Sequence, residues 1–455
     1  MCFTGLAQAM NEPQKYLSMD LKLFYSILLI TIAHGGKAFS QDSIIDLRTC
    51  IVMALKSNPQ LKQNQLSVRR GEIEYRQAWQ NQLPTLNGDL SHGFNQGRNI
   101  DPTTNQFIEE NSATGNQSLN AGVSLFNGFR ILHDIRMKSN AKEAGKLEFE
   151  GKANELRLDV IETYIQVLTA KDLLIQSRRQ LTVTEEQLRR AEVMFKEGAF
   201  APGDYYDIKG QYKMDQNSVQ ANIQILYTNR LRLAKLLNIP ESELGELKTL
   251  PIPTIGSALG WEQLYTQAQI LLPDYRALDW RIKEAQQNIK VAKSYYYPSL
   301  SLGAGLNSRY SSNGDFSYWQ QSRNNLGKSV FMTLSIPIFN QFQVRNQESR
   351  AKIGLEENLL QKEIALNNLR ESTARAVFDL RVALESVQNL KEQEQSYAES
   401  FRIAQVQFDE GASNSFLYLT AKNKLDAARN QLLLKQYAYL LQKYMNDYYA
   451  GNLDL

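Results

Sequence analysis

Cysteine is nearly missing from this chain of 455 residues: only Cys2 and Cys50 occur. Cys2 falls in a leader that is expected to be removed, and a single remaining thiol builds neither a disulfide framework nor a cysteine metal site. Histidine is almost as scarce, with three in all. His92 and His133 follow the leader, one near the first expected strand and one beyond the second, and two lone histidines read as solvated side chains rather than metal ligands. An excess of one charge is also lacking. The 51 basic and 48 acidic residues are interspersed and sum to a formal +3, so no nucleic-acid partner is expected. Beyond the leader no segment reaches 18 consecutive apolar residues, so no transmembrane helix is expected. No nucleophile stands beside a plausible base, and the glycines of Gly303-Ala-Gly305-Leu-Asn-Ser308 lie inside an alternating strand rather than opening a helix. Neither enzymatic activity nor a cofactor nor a bound metal is expected.

What is present begins with an export signal. Met19-Asp-Leu-Lys leads into the apolar run "LFYSILLITIA" (residues 23–33), and Ala38-Phe39-Ser40 precedes Gln41. A basic start, a short apolar run and small residues before a cleavage point make a secretory signal, and the run is about half of the roughly 20 residues that span a bilayer. Residues 1–40 are therefore expected to be an N-terminal extension (residues 1–18) and a signal peptide. No cysteine stands at the cleavage point to take a lipid. An exported chain without a transmembrane helix is either soluble or a membrane β-barrel.

The rest of the chain is written twice. Pro59 and Pro273 stand 214 residues apart, as do Pro84 and Pro298; "FNGF" at 126–129 and "FNQF" at 339–342 stand 213 apart, as do "FKEGA" at 195–199 and "FDEGA" at 408–412. Four landmarks in constant register imply a duplication. Its expected units are 41–237 and 259–455, joined by a linker at 238–258 that carries Pro240, Pro251 and Pro253. Each unit opens with a helix, residues 43–82 or 261–297, that stops at a proline.

Period-two alternation follows, the mark of a strand with one apolar face. Leu300, Leu302, Ala304 and Leu306 alternate with serine, glycine and asparagine; Val330, Met332, Leu334, Ile336 and Ile338 do the same; Leu119, Ala121, Val123 and Leu125 alternate with Asn120, Gly122, Ser124 and Phe126. The expected strands are about 85–95, 117–127, 299–309 and 328–339. Each pair is separated by a polar insertion that reads as an exposed loop. Residues 131–197 and 344–410 then contain no proline, and a continuous helix of that length extends on the order of 100 Å. Leucines and isoleucines spaced three to five residues apart among Glu, Lys, Gln and Arg make these coiled-coil helices. Gly198 and Gly411 mark the points where each long helix turns back, since glycine tolerates the left-handed conformation that ends a helix. Phe195 and Phe408 pack just before the two tips.

Four strands do not span a membrane alone, because open edges leave backbone groups unsatisfied in hydrocarbon, and closed barrels begin at about eight strands. Several chains must share one barrel, and three would give twelve strands. Tyr295, Tyr296 and Tyr297 before one strand, and Phe316, Tyr318 and Trp319 beyond it, suit interfacial girdles.

The order helix, strand pair, long helical hairpin, repeated with Phe-x-x-Gly at the tips and Phe-Asn-Gly-Phe-Arg after the strands, resembles the TolC family of outer-membrane efflux proteins across residues 43–450. The resemblance implies a mainly α fold with a membrane β-barrel: a homotrimer sharing a 12-stranded barrel, continued by an α-helical barrel through the periplasm of a Gram-negative bacterium. It implies the exit duct of a tripartite efflux pump or type I secretion system, with a periplasmic adaptor, an inner-membrane transporter and outer-membrane lipid as partners. At matching positions it implies that Gly198, Ala199, Gly411 and Ala412 meet the adaptor and that Asp204 lines the periplasmic entrance. Leu417 and Thr420 stand where the second unit should carry acids; Asp207, about one turn from Asp204, is the available replacement. For Asp204 the plainer reading is an acid favoured at a helix N-terminus. The rival class is an exported soluble coiled-coil rod or adaptor, which accounts for the helices and tips but not for four amphipathic strands.

Overall fold

The computed structural model describes residues 44–100, 105–108, 111–251 and 260–452. The expected signal peptide lies outside them, as does 252–258 of the expected linker. The first unit contains α1 (Leu47–Ser57), α2 (Pro59–Gln80), β1 (Thr85–Asn95), β2 (Asn99–Ile100), β3 (Phe107–Ile108), β4 (Ser112–Asn127), α3 (Arg130–Lys196) and α4 (Pro202–Leu237). The second contains α5 (Trp261–Leu271), α6 (Pro273–Ser294), β5 (Ser299–Ser311), α7 (Tyr318–Asn324), β6 (Gly327–Ser335), α8 (Gln343–Asp409) and α9 (Ser415–Tyr449). The long helices α3 and α8 have the same length, 67 residues, about 100 Å at the usual rise.

The opening helix of each unit is two helices, not the single one expected from the sequence. Pro59 and Pro273 each occupy the first helical position of a new segment, where their missing N–H costs nothing. Asn58 makes the first break rigid: its side-chain oxygen accepts from the Gln60 and Leu61 N–H groups, and its amide donates to the Leu236 carbonyl at 3.1 Å. That last bond ties the break to the end of α4.

A main apolar cluster gathers where α1, the middle of α3 and the ends of α4 and α9 meet. Leu47, Cys50, Ile51, Ile161, Tyr164, Leu168, Leu233, Leu237 and Leu440 are buried there. Burial pushes the Cys50 thiol up to about 12, so it is packing material rather than a nucleophile. The Tyr164 hydroxyl donates to the Lys248 carbonyl at 2.7 Å, and Ile45 pairs in parallel with Leu247. These bonds pin the start of the linker to the same core.

Four strands form one antiparallel sheet in the order β1-β4-β5-β6. Its register sorts the side chains cleanly. Leu86 and Leu90 of β1 share a face with Leu119, Ala121 and Val123 of β4, Leu300, Leu302 and Leu306 of β5, and Val330, Met332 and Leu334 of β6. Asn87, Asp89, Asn116, Ser118, Asn120, Ser301, Asn307, Arg309 and Ser329 share the other. Two departures from simple alternation appear. A bulge between Ser124 and Phe126 consumes one residue of β4, so Phe126 lies opposite Leu300 on the apolar face, contrary to the alternation expected there. Phe331 falls on the polar face, and its ring lies over Gly303: a Cβ on that glycine would come within 2.3 Å of the ring. The ring occupies the space that glycine leaves.

The strand ends also differ from expectation. β4 begins at Ser112, earlier than 117, and β6 stops at Ser335, so Ile336 and Ile338 lie outside the sheet. Pro337 lacks the N–H a ladder requires and restricts the residue before it, which ends the pairing. The insertion between β5 and β6 is not simply a loop: Ser317 opens α7 with a capping box to Gln320. At the strand-to-helix junctions two consecutive residues turn left-handed in each unit, Gly128 and Phe129 (φ 65° and 63°) and Gln341 and Phe342 (φ 52° and 61°). This is what "FNGF" and "FNQF" encode.

Candidate functional site: the hairpin tips

The two tips are built alike down to individual hydrogen bonds. Gly198 and Gly411 both have φ of +73°. In the first tip the Ala199 N–H donates to the Met194 carbonyl at 2.8 Å and the Gly198 N–H to the Phe195 carbonyl at 3.1 Å; in the second, Ala412 donates to Gln407 at 2.8 Å and Gly411 to Phe408 at 3.1 Å. Both are Schellman motifs, which satisfy the last carbonyls of a helix by turning one residue left-handed. Nothing lies within 4 Å of where a Cβ would be at either glycine. The glycines are therefore required for backbone conformation, and the space beside them is open. Gly198, Ala199, Gly411 and Ala412 are all exposed.

Aromatic rings hold the tips from behind. The Phe195 ring stacks on Tyr205 with centroids 4.7 Å apart, and Phe408 stacks on Tyr418 at 4.8 Å. Phe200 meets the edge of Phe408 at 6.0 Å, joining one tip to the other. Tyr418 is buried, and burial raises its hydroxyl well above the ordinary tyrosine range.

Asp204 and Asp207 converge on one residue of the other hairpin. Asp204 Oδ1 accepts from the Ser415 N–H at 3.0 Å, and Asp207 Oδ2 accepts from the Ser415 hydroxyl at 3.0 Å. Ser415 is the first residue of α9. Each carboxylate thus has one oxygen engaged with the N-terminus of the neighbouring hairpin's helix, where the free N–H groups and the macrodipole favour an anion. This explains both acids as ties between tips. Asp204 also lies in the first turn of its own helix, α4.

A second tie, about two turns further along α9, is one that sequence reasoning missed. Lys422 is almost fully buried, with its ammonium 3.0 Å from Asp215 of α4 and 2.8 Å from Asp426. Asp215 also accepts from the Thr184 hydroxyl of α3 at 2.5 Å and from the Gln211 amide at 2.8 Å. Asn423 donates to Gln211 at 3.2 Å. Three helices from both units therefore share one hydrogen-bonded charge cluster, the form in which buried charge is tolerated. The available signal was Lys422 itself: a lysine on the α9 stripe that carries Tyr418, Ala421, Leu425 and Ala428, all of them buried.

Among the described residues no group of His, Cys, Asp and Glu could hold a metal ion, and no helix is long and apolar enough to cross a membrane. What the molecule offers is a long double hairpin whose tips are tied to each other, attached to a sheet whose apolar face is covered, among the described residues, only by α7 at one end. The model of the outer membrane efflux protein family matches residues 50–238 and 264–443. The chain belongs to the outer membrane efflux protein family. The solvent efflux pump outer membrane protein SrpC of Pseudomonas putida is 26% identical over 406 residues, covering 84% of this chain and 80% of that one. The cation efflux system protein CusC of Escherichia coli strain K12 is 24% identical over 420 residues, covering 89% and 85%. In three dimensions the chain superposes on a CusC crystal structure with a TM-score of 0.77 at 18% identity, over 91% of this chain and 95% of that one. The Campylobacter jejuni CmeC outer membrane channel gives 0.76 at 16% identity, over 99% and 95%. This efflux protein resides in the outer membrane of a Gram-negative bacterium and serves as an exit duct there. The family match covers both hairpins and the strands, and the mainly α fold with a four-stranded sheet expected from the sequence is the fold found.

Proposed function

We propose that three copies of this efflux protein close their sheets into one 12-stranded barrel and their hairpins into one helical tube. The duct conducts passively, without catalysis, and is opened at its periplasmic end when an adaptor docks on the tips. The observation that carries this reading is what the single chain leaves uncovered. Both sheet edges, β1 and β6, are open, and every residue of β1 is exposed. Unpaired edges do not survive in hydrocarbon, whereas joining β6 of one copy to β1 of the next satisfies every strand. The strands have 9 to 16 residues, enough for tilted membrane strands.

Helix α8 supports the same assembly. Its residues Val344, Ala351, Leu369, Thr373, Ala376 and Ala383 are buried within the chain. Ile353, Leu360, Ile364, Phe378 and Val382 are all exposed. Their steps of seven, four, fourteen and four residues place them on one straight stripe, on the side of the helix opposite the buried set. A helix with a second, bare apolar stripe needs another helix against it, and a neighbouring copy supplies one. Expected for the mature chain is a trimer in detergent by native mass spectrometry; a detergent-free monomer or dimer would remove the barrel and leave a soluble rod.

At the tips, Gly198, Ala199, Gly411 and Ala412 form the docking surface for the adaptor, and through it the duct reaches the inner-membrane transporter. Exposed backbone with open space on either side admits another hairpin closely. Asp204 and Asp207 flank the entrance but hold the two hairpins of one chain together. Opening must therefore favour an arrangement of the tips over the ties at Ser415 and Lys422, through contacts made only when the adaptor is bound. Substituting both Gly198 and Gly411 by valine is expected to abolish export while trimers still form, because a β-branched residue is strained at φ of +73°. Trimer yield from outer membranes, measured beside export of a fluorescent substrate, separates the two effects. Loss of trimers would assign the glycines to folding instead.

A further inference from the structure

The apolar face of the sheet ends in a groove that no contact within the chain fills. Helix α7 folds back over this face at the end of the sheet remote from the long helices. It is fixed there by Ser308, whose hydroxyl donates to the Ser322 carbonyl at 2.9 Å, and by buried Gln321, which bonds both backbone groups of Ser311. Tyr318 stacks obliquely on Tyr310 at 4.9 Å. Between the end of α7 and the strands remains a space of about 380 Å³, lined by Leu90, Leu119, Leu306 and Leu326 among others. Ser322 also borders it, and its buried hydroxyl has no hydrogen-bond partner.

The charge on this face is one-sided. By register it carries no carboxylate on any of its four strands: Asp89 borders the groove, but its carboxylate accepts from the Ser118 hydroxyl on the other face, and the one charged side chain on the apolar face is Lys328, directly opposite Leu306, which lines the groove. Lys328 is exposed and makes no ion pair among the described residues. Arg323, in the last turn of α7 and next to Ser322, is likewise exposed and without an ion pair among them. A lone ammonium at the border between an apolar band and the strand ends stands at the level where lipid headgroups lie.

We propose that this groove is a lipid site: it takes an acyl chain of a phosphate-bearing lipid from the bilayer around the barrel, and Lys328 holds the phosphate. The proposal rests on the reading of the apolar face as membrane-facing. An acyl chain fits four leucines and avoids the polar face. A phosphate, unlike a choline headgroup, satisfies an unpaired ammonium by a charge-assisted hydrogen bond.

The test is native mass spectrometry of the detergent-extracted trimer, titrated with phosphatidylglycerol, with phosphatidylcholine of the same chains, and with inorganic phosphate. Retention of phosphatidylglycerol over phosphatidylcholine is expected, with no adduct from phosphate alone. Lys328→Gln should weaken that retention roughly tenfold or more, the scale of a lost hydrogen bond to a charged group, and Lys328→Arg should restore it. Leu306→Trp, which fills the groove, should remove selective retention while Lys328 is still present. Equal retention of both lipids, or of phosphatidylglycerol by wild type and Lys328→Gln, would overturn the lipid site. An adduct with free phosphate would make the site an anion site without a lipid. Failure of the protein to form a detergent-dependent trimer would instead overturn the membrane reading on which the site depends, so the two failures are distinguishable.

Discussion

Met332→Arg is expected to leave almost no trimer in the outer membrane, although the protein is still made and exported. Met332 lies on the apolar face opposite Leu302, between Val330 and Leu334, and is exposed in the single chain. A cation on the lipid face of a barrel at mid-height costs about 2–4 kcal/mol, and a trimer carries the substitution three times, for roughly 6–12 kcal/mol in all. That is comparable to the whole stability of an ordinary domain. Thr333→Arg is the control. It adds the same side chain one residue further along β6, where alternation turns it to the polar face opposite Ser301 and toward water. Native electrophoresis of outer-membrane fractions should therefore show trimers for Thr333→Arg and few or none for Met332→Arg. Equal amounts of both would mean that the face does not meet lipid.

Lys422→Ala should produce the largest loss within the helical part. It removes the cation from between Asp215 and Asp426 and leaves Asp215 buried with a negative charge and no counter-ion. Breaking a buried pair from one side costs about 3–5 kcal/mol, most of it the penalty of the stranded partner. A chain of this length does not unfold in one step, so the effect is best read locally. Amide exchange in 411–430 should accelerate by two or more orders of magnitude, roughly the factor that 3 kcal/mol represents, while exchange around Tyr164 should not change. The triple variant Lys422→Met, Asp215→Asn, Asp426→Asn keeps the volume and removes all three charges, and should recover most of the protection. If Lys422→Ala alone leaves exchange at the tips unchanged, the cluster does not hold the two hairpins together. The contrast with Asp204 and Asp207 is one of charge and burial: Asp204 is half-buried and Asp207 exposed, and their partner Ser415 is neutral, so removing either acid strands no buried charge and should cost less.

Much of this molecule was legible in its sequence because much of it is locally determined. Period two, the proline-free stretches of helical period, and a glycine after Phe-x-x at two places separated by 213 residues each act within a few residues of themselves. Short-range sterics and hydrogen bonding therefore settle the strands, the long helices and the tips with little help from the rest of the chain. The corrections concern places where local signals compete. Pro59 and Pro273 were visible as landmarks, yet the apolar periodicity running across them concealed that each starts a new helix. Pro337 was visible inside an alternating run, and the alternation concealed that the ladder stops before it. The bulge at Leu125 leaves no mark in the composition, since it depends on how β5 pairs with β4, and α7 lay in a polar insertion whose capping box, Ser317 to Gln320, was the one available sign.

By itself the sequence determined the amphipathic strands, the long helices and the turning points. Those follow from periodicity and from the two residues, glycine and proline, whose backbone preferences override their neighbours. Only the tertiary structure decided what the polar residues do. Ser415 became the partner of Asp204 and Asp207, and Lys422 the counter-ion of Asp215, because hydrogen bonds and ion pairs between hairpins join residues more than 200 positions apart. Nothing in the spacing of either residue along the chain states that distance in space. The placing of Lys328 beside a leucine-lined groove is of the same kind: register across four strands, not the order of residues in any one of them, put one charge on an otherwise uncharged face.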